Sequence, residues 1–186
     1  VTVLADQVCL ESSKCLSRAF LRAASGQSTT ATLTTHVLDY PDSTRPLDHI
    51  DMIDPSTETG MTDWYRYFDA TSIVVTPVPG NATLTISYRD LAGIYTPLTV
   101  LGPGIQTFDI PAIVRANIYG LKLSWDSTTG FQPDQTLVAN VGYTLRTTLR
   151  DSATPLPNAS ALLENCSASS GTNGVVPTTM TSNTAV

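Results

Sequence analysis

The sequence predicts an all-β protein, an antiparallel β-sandwich of the jelly-roll type, with an N-terminal helix and an extended C-terminal arm. Between residues 29 and 150, segments that alternate apolar and polar residues follow one another. This alternation is the pattern of half-buried strands. Turn signals rich in glycine and proline separate the segments, with no helical pattern between them, which favours antiparallel pairing. We therefore expect three regions: a helix or arm over 1–28, the sandwich over 29–150 and the arm over 151–186.

The N-terminal helix is predicted over residues 4–24. Apolar residues recur there on roughly one helical stripe, and Gly26 follows as a stop signal. The stripe consists of Leu4, Val8, Cys15, Leu16, Phe20 and Ala23. A helix of this kind lies either on the main core or on a neighbouring subunit, so Leu16 and Phe20 are candidate interface residues.

Seven strands are predicted in the sandwich region, over 29–37, 71–78, 83–88, 94–101, 105–110, 113–125 and 136–149. The last is the longest and places alternate residues on one face: Leu137, Ala139, Val141, Tyr143, Leu145, Thr147 and Leu149. Gly120 lies inside the 113–125 segment as a candidate bulge. Residues 39–63 carry several prolines among acids and are predicted to form a long irregular connection, which in a compact domain is usually functional.

An acidic run in this connection is the densest group of charged side chains. Asp48, Asp51 and Asp54 are the candidate ligands for a metal ion, because clustered carboxylates supply the oxygen atoms that Ca²⁺ prefers. The run lacks the spacing and the glycine of an EF-hand loop. A solvated acidic loop without metal is therefore the alternative, and no other cofactor is expected.

Residues 64–68 form the aromatic concentration of the chain: Trp64, Tyr65, Arg66, Tyr67 and Phe68. Aromatic rings beside an arginine can close a sandwich core or form an interface. The same residues can also stack on sugar rings. These five residues are therefore candidates for a binding surface or an interface.

No catalytic motif is recognisable. His36 and His49 are the only histidines, and no G-x-S-x-G segment selects a serine that could act with them. The Gly102-Pro103-Gly104 segment lacks the lysine and hydroxyl residue of a phosphate-binding loop. We therefore expect a protein that is not an enzyme.

The charge composition excludes some partners and favours others. With 10 basic and 16 acidic residues the net charge is −6, which disfavours direct binding of nucleic acid or of an anionic membrane. No segment is apolar enough for a membrane span. Charged residues make up only 14% of the chain, whereas soluble monomers keep more charge to prevent association. This composition favours a protein whose surface is covered by copies of itself.

The segment DWYRYFDATSIVVTP over 63–77 resembles an early strand of the coat proteins of small icosahedral viruses, in which an aromatic segment precedes a β-branched strand that ends in proline. The long strand over 136–149 followed by a proline-containing arm is similar to the same jelly rolls. The resemblance implies a capsid, outer-shell or protruding subunit that self-assembles. Unlike many such coats, residues 1–30 carry only Lys14, Arg18 and Arg22, so direct genome binding is not expected.

Two functions are therefore open at this point. The first is a virion structural protein, whose partners are its own copies, other capsid proteins and a receptor or glycan on the host surface. The alternative is a secreted or cell-surface carbohydrate-binding module, extracellular and using Ca²⁺ in the acidic run.

Overall fold

The structure is a computed structural model that describes residues 9–16, 26–38, 45–55, 63–152, 154–156, 166–174 and 177–180. In chain order the strands are β1 (Leu10–Leu16), β2 (Ser28–Val37), β3 (Leu47–Asp54), β4 (Phe68–Val78), β5 (Ala82–Arg89), β6 (Tyr95–Leu101), β7 (Gly104–Asp109), β8 (Gly120–Phe131), β9 (Thr136–Leu145), β10 (Ala168–Thr172) and β11 (Pro177–Met180). Two short helices, α1 (Asp63–Tyr67) and α2 (Ala112–Arg115), precede β4 and β8.

The strands form two packed antiparallel sheets, which confirms the predicted β-sandwich. One sheet has the order β1-β2-β9-β4-β7, and the other has the order β11-β10-β3-β8-β5-β6. Four nested pairs run through both sheets: β2 with β9, β3 with β8, β4 with β7 and β5 with β6. This nesting of one long folded hairpin, closed by the β4–β9 and β5–β8 pairs, is the strand order of a jelly roll.

The core lies between the two sheets and is built from alternate residues of each strand. On β9 the inward residues are those predicted from the alternation, with Leu137, Ala139, Val141 and Tyr143 at most 2% exposed. Trp125 of β8 is fully buried opposite them. Since each buried large apolar side chain contributes roughly 1.5–3 kcal/mol, this interior supplies the main drive for folding.

The predicted N-terminal helix is wrong over the part of 4–24 that the structure describes. Residues Leu10–Leu16 form β1, which pairs with β2 from Leu10 opposite Val37 to Leu16 opposite Ala31. Serines and cysteine are poor helix formers, and the edge of β2 offers a complete row of backbone partners. The 1–28 region therefore contributes a strand to the sandwich.

The C-terminal arm is also partly incorporated into the sandwich. Strand β10 pairs with β3, and β11 pairs with β10. The inward residues of this segment are Ser167, Ser169 and Gly171, and all three are buried. A Cβ atom on Gly171 would lie 2.7 Å from a methyl group of Leu47 and 3.1 Å from the backbone oxygen of His49, so a larger residue there would force its neighbours to shift. The remainder of the predicted arm lies outside the described residues.

Other boundaries also differ from the prediction: β9 ends at Leu145 and not at 149, and β8 continues to Phe131 and not only to 125. The 39–63 segment contains β3, whose inward residues include Leu47, Ile50 and Met52, so it is not an irregular connection throughout. The 113–125 segment is divided between α2 and β8. Gly120 is not a bulge, because the pairing of β5 with β8 is continuous up to Arg89 opposite Gly120.

Candidate functional site

One side of the sandwich is formed by β6 and β7, which we call the β6–β7 edge. In the described part of the chain β6 pairs only with β5, and β7 pairs only with β4. Each strand therefore ends its sheet. At the opposite side the jelly roll is extended by β1 in one sheet and by β10 and β11 in the other.

The exposed large apolar side chains are concentrated at the β6–β7 edge and in the segments beside it. Val100 on β6 is 63% exposed and Ile105 on β7 is 70% exposed. Leu91 and Ile94 lie in the turn that leads into β6, and Ile113 lies on α2, which follows β7. A contiguous apolar patch is typical of an interaction surface, whereas single exposed apolar residues are ordinary, so these five residues are the candidates for such a surface.

The predicted aromatic binding surface lies mainly in the core. Trp64, Tyr65 and Phe68 are at most 3% exposed, and the rings of Trp64 and Phe68 stack with centroids 4.1 Å apart. Tyr67 is partly buried against the same core. The core interpretation of this segment is therefore the correct one, and these buried faces offer no platform for a sugar ring.

The other predicted interface residues are placed differently from the prediction. Arg66 is half-exposed and forms an ion pair with Asp151 at 3.0 Å. Leu16 is the last residue of β1 instead of a helical residue. Phe20 lies outside the described residues.

The three carboxylates predicted to share a metal ion are not brought together. Asp48 is an exposed residue of β3 and accepts a hydrogen bond from the backbone N–H of Gly174 at 3.1 Å. Asp51 is on the outer face of β3, and Asp54 is fully buried. Among the residues that the structure describes, no group of three acidic, histidine or cysteine side chains has the arrangement of a metal site.

A polar cleft lies on the outer side of β3 and β8. It is lined by Asp48, His49, Asn81, Thr83, Asp126, Ser127, Thr128, Thr172 and Gly174. The His49 Nδ1 atom contacts Asp126 Oδ1 at 2.7 Å, and its Nε2 atom lies 3.2 Å from Asp51 Oδ1. Partial burial lowers the pKa of His49, but the hydrogen bonds and charges of the two carboxylates outweigh it, so the pKa is raised above its ordinary value.

An unpredicted group of polar side chains lies inside the sandwich, and we call it the buried Lys14 cluster. It consists of Lys14, Asp54, Tyr65 and Tyr143, all fully buried or nearly so. The Lys14 Nζ atom lies 2.5 Å from Asp54 Oδ1, and the Tyr143 hydroxyl donates to Asp54 Oδ2 at 2.5 Å. Burial lowers the pKa of Lys14, although Asp54 opposes the shift, and it raises the pKa of both tyrosines.

Sequence reasoning missed this cluster because Lys14 was assigned to a helix. No apolar/polar alternation could have revealed it, because Leu10, Ser12 and Lys14 all face inward in the strand and two of the three are polar. Its partner Asp54 is 40 residues away, and only the pairing of strands brings the two together.

A second buried cation, Arg150, holds the junction between α1 and β4. Its side chain is 1% exposed. It donates to the backbone oxygens of Tyr65 at 2.6 Å, of Arg115 at 2.6 Å and of Phe68 at 2.8 Å. It also contacts Asp69 at 2.7 Å. Burial lowers the pKa of Arg150, while Asp69 opposes the shift. The residue predicted to end the sandwich domain therefore fixes three segments of it.

No family model and no curated protein matches the chain. A solved structure, the pilus 2b backbone protein of group B streptococcus, is similar at 15% identity with a TM-score of 0.34. The match covers 90% of this chain and 55% of the pilus protein, so the chain spans about half the length of that structure. This similarity is too distant to carry an assignment of function. Within the described residues, no helix has the length and apolar character needed to cross a bilayer.

Proposed function

We propose that this chain is a structural subunit that associates with copies of itself through the β6–β7 edge, as part of a closed protein shell such as a virion. The observation that carries the proposal is that exposed large apolar side chains lie on both end strands of a jelly roll and in the segments next to them. Jelly rolls are found in viral capsid proteins and in lectins, among other proteins. The fold is therefore compatible with a shell subunit, and burial of the exposed apolar side chains of the β6–β7 edge would drive association between subunits.

The chemistry of the edge favours packing of side chains over strand addition. An unprotected edge strand can pair with another chain without limit, and proline is one means of preventing this. Pro97 lies within β6, and Pro103 lies between β6 and β7. Contacts made by Val100 and Ile105 remain available, because both side chains are exposed. Association through side chains gives the defined geometry that a closed shell needs.

Charge is consistent with the same function. The chain has a net charge of −6 and few ionic groups, so water-exposed threonine, serine and apolar atoms form much of its surface. Low charge favours association, and the absence of a net positive charge disfavours genome binding by this chain. The partners expected are therefore copies of the same subunit and other shell proteins.

The test is the native mass and particle shape of the purified protein. We expect light scattering to give a mass above one subunit that rises with concentration, and negative-stain microscopy to show closed particles or their discrete fragments. A chain that stays monomeric at concentrations of about 1 mM, where even contacts worth only about 4 kcal/mol form, contradicts the proposal.

The second candidate function is glycan binding in an extracellular module, and the polar cleft beside His49 favours it. Carboxylate, amide and hydroxyl groups from β3, β5, β8 and β10 line that cleft, and such groups can hydrogen-bond sugar hydroxyls. A glycan array tests it directly. Glycan binding that is lost in Asp126→Ala and kept in the edge variant Ile105→Ala would support the carbohydrate-binding module. If the protein binds no glycan, the module is contradicted and the shell subunit stays the proposed function.

A further inference from the structure

The buried Lys14 cluster joins the two sheets at a point closed to bulk solvent. Lys14 is on β1 and Asp54 is the last residue of β3, which belongs to the other sheet. Both side chains are 0% exposed. Their contact of 2.5 Å is shorter than an ordinary N–H···O hydrogen bond of about 2.7–3.2 Å. The amine nitrogen and the carboxyl group are therefore at reacting distance.

The surroundings of Lys14 disfavour its charged form. Burying an ion costs several kcal/mol, and the Lys14 side chain is fully enclosed by protein atoms. Burial lowers the pKa of Lys14, which is the direction that frees the nitrogen lone pair.

Two tyrosine hydroxyls face the other oxygen of the carboxyl group. The Tyr143 hydroxyl donates to Asp54 Oδ2 at 2.5 Å, and the Tyr65 hydroxyl lies 3.3 Å from the same atom. The two hydroxyls are 3.1 Å apart. Fixed donors aimed at an oxygen that gains negative charge lower the barrier of acyl transfer. In an acyl transfer at this carboxyl group, Oδ2 would therefore be the oxygen that stays bonded to Cγ, and Oδ1 would be the one that leaves.

We propose that Lys14 and Asp54 condense to an amide, an intramolecular isopeptide bond that cross-links β1 to β3. The proposal rests on the geometry of this cluster and is independent of the shell function proposed above. It assigns a covalent modification site to the interior of the sandwich.

The reaction balances without any added reagent. A proton moves from Lys14 Nζ to Asp54 Oδ1, and the neutral nitrogen attacks Cγ, so that the new N–C bond forms and negative charge develops on Oδ2. The tyrosine hydroxyls stabilise that charge. A second proton passes from nitrogen to Oδ1, the Cγ–Oδ1 bond breaks, and one water molecule leaves. The amide keeps one N–H, and Oδ2 becomes its carbonyl oxygen.

The intact mass of the folded protein tests this directly. Measured under reducing conditions, so that the cysteines make no difference, the mass should be lower than the sequence mass by one water molecule. A mass equal to that of the sequence overturns the proposal, and this measurement needs no variant that has to fold.

Tryptic digestion locates the bond. An acylated Lys14 is no longer a cleavage site, and the Arg45-Pro46 bond resists trypsin, so residues 1–18 should appear joined to residues 23–66 in one branched peptide. Separate peptides ending at Lys14 and containing Asp54 would overturn the proposal even if the intact mass were low.

Two variants complete the test. Lys14→Met should recover the full mass for its sequence, whereas the matched control Lys122→Met should keep the loss of one water. Lys122 is the control because it also faces a carboxylate, Asp51, but at 3.9 Å and with both side chains partly exposed. A loss of water that persists in Lys14→Met assigns the dehydration to another site and contradicts the cross-link.

Discussion

Replacing the two apolar residues on the β6–β7 edge with aspartate should separate the subunits. Val100 and Ile105 are 63% and 70% exposed, so about two thirds of each side chain is available for contact. Full burial of such a side chain contributes roughly 1.5–3 kcal/mol, so each contact is worth about 1–2 kcal/mol. Losing both side chains weakens the association of two subunits by about 2–4 kcal/mol, which raises the dissociation constant roughly 30-fold to 1,000-fold.

Sedimentation velocity over a concentration series measures this change. The double variant Val100→Asp/Ile105→Asp should sediment as a monomer where the wild type is associated. Its free energy of unfolding should stay within about 0.5 kcal/mol of the wild type, since exposed substitutions seldom cost more.

The matched control adds the same charge elsewhere. Thr128 on β8 and Thr136 on β9 are exposed and polar, and Thr128→Asp/Thr136→Asp should associate like the wild type. If both double variants lose association equally, net charge and not the edge is responsible. If neither loses it, the edge is not the interface.

Three further predictions concern the interior and the cleft. Arg150→Lys should lower the free energy of unfolding, measured in urea, by about 3 kcal/mol, because one ammonium group cannot reach all four acceptors. The control Arg66→Lys, at an exposed ion pair, should cost at most about 1 kcal/mol. Equal costs would contradict the role given to Arg150. The pKa of His49 is raised in the folded protein, so its stabilising contribution is complete below the ordinary pKa of 6.5 and is lost as pH rises through the folded value. The difference in thermal unfolding temperature between wild type and His49→Gln should therefore shrink with rising pH. A difference that stays constant with pH would refute this. Gly142→Ala should destabilise the protein by about 1–3 kcal/mol because its Cβ would lie 2.5 Å from the Ser72 hydroxyl, and adding Ser72→Gly should restore part of the loss.

The sequence predicted the strands best where one face is apolar and the other polar. In β2 and β9 the buried residues are the ones that alternation assigns to the core, from Ala31 and Leu33 to Val141 and Tyr143. A period of two leaves no other arrangement for such segments, since a shift by one residue would expose the whole apolar set.

Prediction failed where inward residues are small or polar. In β10 the buried positions are Ser169 and Gly171, and in β1 they include Ser12 and Lys14. No hydrophobic pattern marks these strands, because their inward faces pack closely on each other and on polar partners. Thr35 of β2, for example, hydrogen-bonds Ser169 at 2.5 Å. Such a contact depends on the complete strand order and is not encoded within any short segment.

The candidate site could be predicted only in part for a related reason. Composition indicated that the surface would be covered by copies of the chain, but it could not say where. Which strands end a sheet follows from the topology: among the described strands β6 pairs only with β5 and β7 only with β4, whereas β1, β10 and β11 extend the opposite side. The aromatic segment 64–68 was a candidate because its residue types suit interfaces and cores equally well.

The proposed cross-link restricts the surfaces through which subunits can associate, because it involves β1. A strand at the end of a sheet that has no covalent link to the rest of the sandwich can pair with a neighbouring subunit instead, so subunits could be tied together by exchange of β1. A covalent bond between Lys14 and Asp54 forbids that exchange once it has formed, because β1 is then part of its own sandwich. Contacts between subunits would have to use surfaces that remain open, and the β6–β7 edge lies on the side away from β1. Cross-linked monomers that still associate, and that lose association only when Val100 and Ile105 are replaced, are therefore the combined expectation.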